Sequence, residues 1–221
     1  MLLLLLGTAL RLVDIGRLPA GLYHDEAQNG LDALAVLEGQ LQLYFPANNG
    51  REPIFIYLVA ASIACLGRSP FATRLPSAFV GILTLAATFD LGRTLWNRRA
   101  GRWALAVLAV TLWHIHLSRV SFRSVLLPFF MALYLAQGAR ALRSGKWRFW
   151  LAAGVFYGAS WYTYMAARFT PIALAVLALH GLLCYPQKMR LHWRGAVLAA
   201  LAALIVLLPL GLYTLRSPEV V

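Results

Sequence analysis

Six apolar runs, at residues 76–92, 103–117, 125–139, 149–163, 170–184 and 195–215, are separated by short arginine-rich connections. A helix needs roughly 17–25 apolar residues to cross the hydrocarbon core of a bilayer, so runs of this kind approach or reach a membrane span. The overall composition agrees: 61% of the 221 residues are hydrophobic and 13% are charged. A water-soluble domain is nearer ~45–50% apolar and ~25% charged, and one core of this size leaves too much surface in water to hide the excess. A soluble globular domain and a disordered chain are both excluded. The opening run, Met1 to about Val13, is too short to span alone. It lacks the basic start and small-residue cleavage site of a signal peptide, and is read as the end of a first span that begins upstream. The apolar stretch 54–67 is also short and follows Pro53, which fits an interfacial or re-entrant helix. The expected fold is an all-α polytopic membrane protein with about seven transmembrane helices and juxtamembrane helices in the first outer loop.

The basic residues orient these spans. Arg93, Arg98, Arg99 and Arg102 fill one connection, Arg140, Arg143, Lys146 and Arg148 another, and Lys188, Arg190 and Arg194 a third. The alternate connections, around 118–123 and 164–168, carry two and one. The positive-inside rule makes the rich loops cytoplasmic and leaves 14–75, 114–124 and 162–170 together on the outer face, provided that 54–67 does not cross. The net charge of +12 is thus scattered between apolar segments, not gathered on one face as in nucleic-acid binders. Membrane lipids, and no nucleic acid, are the expected surroundings.

Carboxylates are distributed unevenly. Of eight acids, Asp14, Asp25, Glu26, Asp32, Glu38 and Glu52 lie within the first 52 residues, and only Asp90 and Glu219 follow. His24-Asp25-Glu26 opens a helical stretch running to about Glu38, in which Asp25, Gln28, Asn29 and Asp32 share one polar face. Ala27, Leu31 and Leu34 form an apolar stripe suited to the membrane surface. The plainer explanation of Asp25 is an N-cap, with Gln28 completing a capping box; that of Glu52-Pro53 is an acid before a proline at the first helical position. The sharper one is that carboxylates beside the membrane accept a proton or position a hydroxyl. Opposite them stand Arg119 and Arg123, four apart and therefore on one side of a helix, and Arg168. Snorkelling explains an arginine at a span end, but less readily a pair on the base-poor side, where a guanidinium fork suits a phosphate. Tyr162, Tyr164, Trp113 and Trp161 read as an interfacial aromatic belt. His114 and His116 would diverge on a helix, and Cys65 and Cys184 stand alone, so neither pair has metal-ligand or disulfide spacing. No glycine-rich phosphate loop or nucleophile elbow is present.

At these residues the sequence resembles a family. LPAGLYHDEAQNG, NNGREPIFIYL, RLPSAFVGILT, HLSRVSFRSVLLP and YTYMAAR are similar to the C-type integral-membrane glycosyltransferases. The branch is that of the bacterial relatives of protein O-mannosyltransferases and the lipid A aminoarabinose transferase, the RgtA/B/C/D-like group. The resemblance runs along the whole chain but covers the first half of a typical member. It therefore implies that residues 1–221 are the N-terminal part of a glycosyltransferase membrane domain, with 14–75 as the first extracytoplasmic loop and further spans and a C-terminal region absent. It implies a polyprenyl-phosphate-linked sugar as donor, used at the extracytoplasmic face of a bacterial cytoplasmic membrane, and a lipid, glycan or protein acceptor. Asp25 becomes the base or acceptor-orienting carboxylate with Glu26 beside it, and Arg119, Arg123 and Arg168 become the donor-phosphate ligands. His24, Arg51, Glu52 and Tyr164 are expected to support the acceptor and the loop. Several relatives carry an acid near the position of Arg123-Ser124 that helps hold a metal. Its absence here leaves a divalent metal unsupported, and no cofactor is expected.

The chemistry suits the residues. A lipid phosphate leaves as a stable anion, so arginine charge suffices on that side, while the acceptor hydroxyl needs a carboxylate. Inversion at the sugar carbon follows from a single displacement. The competing class is a transporter or flippase of lipid-linked sugars that grips the same phosphate without reaction; such proteins tend to show paired repeats and broken helices, and no internal repeat is visible. The orientation is tested by replacing Cys65 and Cys184 with serine and placing single cysteines at Asn29 and Lys146. An impermeant thiol reagent should reach the two from opposite sides of the membrane. Labelling of both from one side would overturn the topology.

Overall fold

The computed structural model describes residues 1–47 and 50–216, with Lys188 described by its backbone alone. Asn48 and Asn49 of the NNGREP segment, the Lys188 side chain of the third basic loop and Glu219 lie outside the described residues. Helices account for nearly all regular structure: α1 (Leu2–Leu12), α2 (His24–Leu37), α3 (Pro53–Leu66), α4 (Pro70–Leu95), α5 (Arg98–Val110), α6 (Leu112–Arg119), α7 (Leu126–Ser144), α8 (Trp147–Ser160), α9 (Thr170–Cys184) and α10 (Pro186–Arg216). Two 3-10 turns, Arg123–Val125 and Met165–Phe169, lead into α7 and α9. Among the described residues no strand forms, and the isolated bridge between Phe45 and Arg51 closes the loop before α3.

Local signals set the ends. The Ser69 hydroxyl accepts from the Ala72 N–H at 3.2 Å with Pro70 opening α4, and the Asn97 side chain accepts from Arg99 and Ala100 at the start of α5. Both satisfy N–H groups that a helix start leaves without partners. Gly145, with φ of 66°, closes α7 in the left-handed region that glycine adopts freely.

Four segments are long and apolar enough to cross a membrane: Pro70–Leu95, Arg123–Ser144, Met165–Cys184 and Met189–Arg216. They contain the apolar runs 76–92, 125–139, 170–184 and 195–215. The expected count of about seven is therefore not shown by helix length. The run 103–117 folds as two helices that part at Thr111, and 149–163 falls mostly in the 14-residue α8. The break has a visible partner. Arg11 of α1 is fully buried and donates to the carbonyls of Leu108 and Ala109 at the end of α5, the first of which also takes the Thr111 N–H, and to Gly7 O and His114 Nδ1.

Helix α4 is the hub, touching α1, α2, α3, α5, α6 and α7, while α8 joins α7 to α10. The main apolar core, including Phe55, Ile56, Val59, Ile63, Val80 and Leu126, lies between α2, α3, α4 and α7. Small residues bring the helices close, as expected where lipid removes most of the hydrophobic drive between them. Gly154 and Gly158 form a G-x-x-x-G seam on α8; a Cβ on Gly154 would collide with the Ala199 carbonyl, and one on Gly158 would lie 2.8 Å from that of Ala203. Tyr162 does more than sit in a belt. Its hydroxyl accepts from Leu210 N–H at 3.2 Å and donates to Val206 O at 2.7 Å, entering the ladder of α10 beside Pro209.

The seam makes a direct prediction. Gly154→Leu should destabilise the protein by about 1–3 kcal/mol, the range for overpacking a tight contact. Gly138→Ala, at a site with open space around it, should be neutral or slightly stabilising. Thermal unfolding in one detergent compares them, and equal effects would refute the packing argument.

Candidate active site

Helix α2 is held from below its first turn. Glu26 is 1% exposed, and Arg74, fully buried at the start of α4, grips it with Nε to Oε1 at 2.7 Å and Nη2 to Oε2 at 3.0 Å. The backbone N–H groups of Ser121 and Tyr23 donate to the same carboxylate, each at 2.9 Å. Burial pushes this carboxyl up, but the bonds from Arg74, Tyr23 and Ser121 and the charge of Arg74 outweigh it and hold the pKa below its ordinary value. Arg74 also donates to the carbonyls of Ile15, Pro19 and Gly21, tying down the loop between α1 and α2.

This corrects the capping assignment. Tyr23 is the N-cap of α2, and Glu26 accepts its N–H; Asp25 lies one residue inside the helix, and Gln28 donates to Asp32 at 3.0 Å. The stripe of Ala27, Leu31 and Leu34, expected at the membrane surface, stays half-buried or exposed. The fully buried residues of α2 are Glu26, Asn29, Ala33 and Val36, because Arg74 and Ser121 reward a polar first turn turned inward.

The polar face of α2 then meets Arg51. This buried side chain donates Nη1 to Asn29 Oδ1 at 2.7 Å, pairs with Asp32 and donates Nε to Ala47 O. Asn29 donates in turn to Ser121 O at 2.7 Å. Gly50, with φ of +87° and the Tyr44 hydroxyl packed against it, shapes the turn before Arg51 and receives Arg123 Nη2 on its carbonyl at 3.2 Å. Glu52 is the N-cap of α3 ahead of Pro53, as the sequence indicated. It is 3% exposed, and its Oε2 lies 3.4 Å from Arg123 Nε. Burial pushes the Glu52 carboxyl up, against its own backbone N–H and the charges of Arg123 and Arg168, and the net direction is upward.

Asp25, Asn29, Arg51, Phe122, Arg123 and Tyr164 line one cavity of about 90 Å³. The Arg123 guanidinium lies over the Tyr164 ring, 5.6 Å from its centre. One carboxylate and two guanidinium groups therefore share a space that would hold about three waters, or one phosphate-sized group. His24 is largely exposed, 3.7 Å from Asp25; Arg168 is exposed and acts on Glu52 through its charge.

Arg119 and Arg123 do not share a helix face. Helix α6 ends at Arg119, the chain is extended at Val120 and Phe122, and Arg123 starts a new 3-10 turn. Arg119 instead donates to the carbonyls of Leu10, Val13 and Leu18 around the end of α1. Asn29, Phe122 and Arg74 were given no site role from sequence. An arginine four residues after the helix-starting Pro70, inside an otherwise apolar stretch, was the available signal for Arg74. Among the described residues no three His, Cys, Asp or Glu side chains cluster to hold a metal.

The Glu26–Arg74 pair makes a stability prediction. Because the folded carboxyl titrates below its unfolded value, its contribution is full above the unfolded pKa and is lost as pH falls through the folded one. Arg74→Ala, which strands a buried carboxylate, should cost about 3–5 kcal/mol. Above neutral pH Glu26→Gln should cost less, because it keeps an acceptor, and its unfolding midpoint should fall less than that of the wild type on acidification. Equal acid sensitivity would refute the assignment.

No individually curated protein matches the sequence significantly. The family model for dolichyl-phosphate-mannose-protein mannosyltransferases matches residues 50–213, from the turn at Gly50 to α10, so that Arg51, Glu52, Arg123, Tyr164 and Arg168 fall inside the match and α2 before it. The chain is thus a membrane glycosyltransferase-type protein and belongs to the dolichyl-phosphate-mannose-protein mannosyltransferase family.

Proposed function

We propose that this protein transfers a sugar from a polyprenyl-phosphate donor to an acceptor hydroxyl at the extracytoplasmic face of a bacterial cytoplasmic membrane, with inversion. The acceptor is a lipid, glycan or protein of the cell envelope. The observation that carries this reading is the cavity in which Asp25 faces Arg51 and Arg123, in a chain of this family. Arg123 holds the donor phosphate, with Arg168 at the exposed rim, and their charge stabilises the anion as the sugar–oxygen bond breaks. Asp25 takes the proton of the attacking hydroxyl. Glu26 supports Asp25 from below through the anchored first turn, and His24 and Tyr164 border the acceptor. The cavity is too small for a whole sugar phosphate, so the sugar extends toward the opening. Beside Glu52, Leu43, Pro53, Ile54, Tyr57 and Leu58 line an open apolar recess of about 380 Å³, which receives the first isoprene units. In this topology α1, α5 with α6, and α8 complete seven crossings, while α3 stays at the outer surface.

Asp25→Asn tests the reading, because it keeps the size and helix compatibility of the side chain and removes its basicity. Folding should survive while sugar transfer falls by about 10²–10⁴-fold, the usual share of a general base. Normal turnover by a folded Asp25→Asn protein would overturn the mechanism.

A further inference from the structure

Among the described residues, two glutamate–arginine pairs with a buried carboxylate differ in kind. Glu26 and Arg74 meet through two directed bonds, and two backbone N–H groups complete the carboxylate. Glu52 and Arg123 are close without such a bond. Their atoms lie 3.4 Å apart, and Glu52 Oε2 and Arg123 Nε are both buried with no hydrogen-bond partner. Arg123 is otherwise held by one carbonyl, that of Gly50, and by the Tyr164 ring. Glu52 therefore neutralises Arg123 by proximity while leaving much of its donor capacity unused, and Arg123 lines the cavity whereas Glu52 does not.

An under-bonded buried pair is poised for exchange, because a buried charge is strongly favoured only with a directed partner. We infer that Glu52 is the resident counter-ion of Arg123 and that the phosphate of an incoming donor replaces it. This rests on the reading that Arg123 binds donor phosphate. With Arg123 turned to phosphate, a charged Glu52 faces a second anion across the same guanidinium, and it takes up a proton from solvent. When the lipid phosphate departs, Glu52 releases that proton and reclaims Arg123, which opposes retention of the product. The upward direction of the Glu52 pKa supports this cycle, but the unmade bonds carry it. Arg51, Arg123, Arg168, Tyr164 and Asp25 are the charged or titratable groups around this pair, with His24 beyond Asp25. Glu52 is thus a positioning residue that acts through Arg123.

The test uses the full-length protein in lipid nanodiscs and a short-chain polyprenyl mannosyl phosphodiester, whose own phosphate stays singly charged from pH 8 to pH 5. Wild-type affinity should rise about tenfold over that range, the effect of a like charge a few ångströms away on a carboxyl. Calorimetry in buffers of different ionisation heat should show proton uptake on binding. Glu52→Gln should bind at pH 8 about as tightly as the wild type at pH 5, with the slope gone, whereas Asp25→Asn and His24→Gln should keep it. A flat wild-type profile overturns the exchange and needs no variant, so misfolding of Glu52→Gln leaves the question decidable. A slope that persists in folded Glu52→Gln overturns it as well. Arg123→Ala separates the two ideas: unchanged affinity overturns the donor-phosphate reading and this inference with it, whereas weakened affinity with a flat wild-type profile overturns the exchange alone.

Discussion

The buried contact between Arg74 and Glu26 is the constraint on which the cavity and the loop before α2 depend. One guanidinium collects a carboxylate from α2 and three carbonyls from the preceding loop, and it projects from α4, the helix that most others touch. Removing either partner would leave a charge or several polar groups without partners in an apolar setting, where each is expensive. The position of Asp25 follows from this. A residue next to a fully anchored one on a short helix has little freedom, so the anchoring of Glu26 also places the cavity's carboxylate.

A second consequence is a division of labour among the arginines at this end of the helices, which look alike in sequence. Arg74 is structural, Arg119 closes the end of α1, Arg51 braces α2 from the cavity wall, and Arg123 lines the same cavity with fewer bonds of its own. All carry the same charge. What separates them is the partner that each reaches, and saturation of the donor fork separates structural arginines from one left available to a ligand.

Much of this was legible in the sequence. The apolar runs marked the four long helices, though 103–117 and 149–163 looked the same as two of them, Pro53 marked a helix start, and the concentration of acids within the first 52 residues marked the segment that lines the cavity with Asp25 and Arg51. What was illegible depended on long-range partners. Periodicity made the run 103–117 one helix because nothing local shows that Arg11, almost a hundred residues earlier, caps a break there. The same limit joined Arg119 and Arg123, since spacing of four implies a shared face only if the helix continues between them. Glu26 and Asp25 are adjacent and chemically equivalent on paper; only the approach of Arg74 and Ser121 tells which is saturated.

The Tyr162 hydroxyl inserted into α10 has an implication for how the protein is made. It fastens the turn that carries Tyr164, the last residue to join the cavity wall, to a helix near the end of the described chain. During synthesis the carboxylate side of the cavity emerges first, and the aromatic side acquires its fastening only once α10 has been made. Assembly of the cavity is therefore coupled to delivery of the distal chain: an arrested or shortened product would hold its acids and arginines in place while the wall that faces them stayed unlatched.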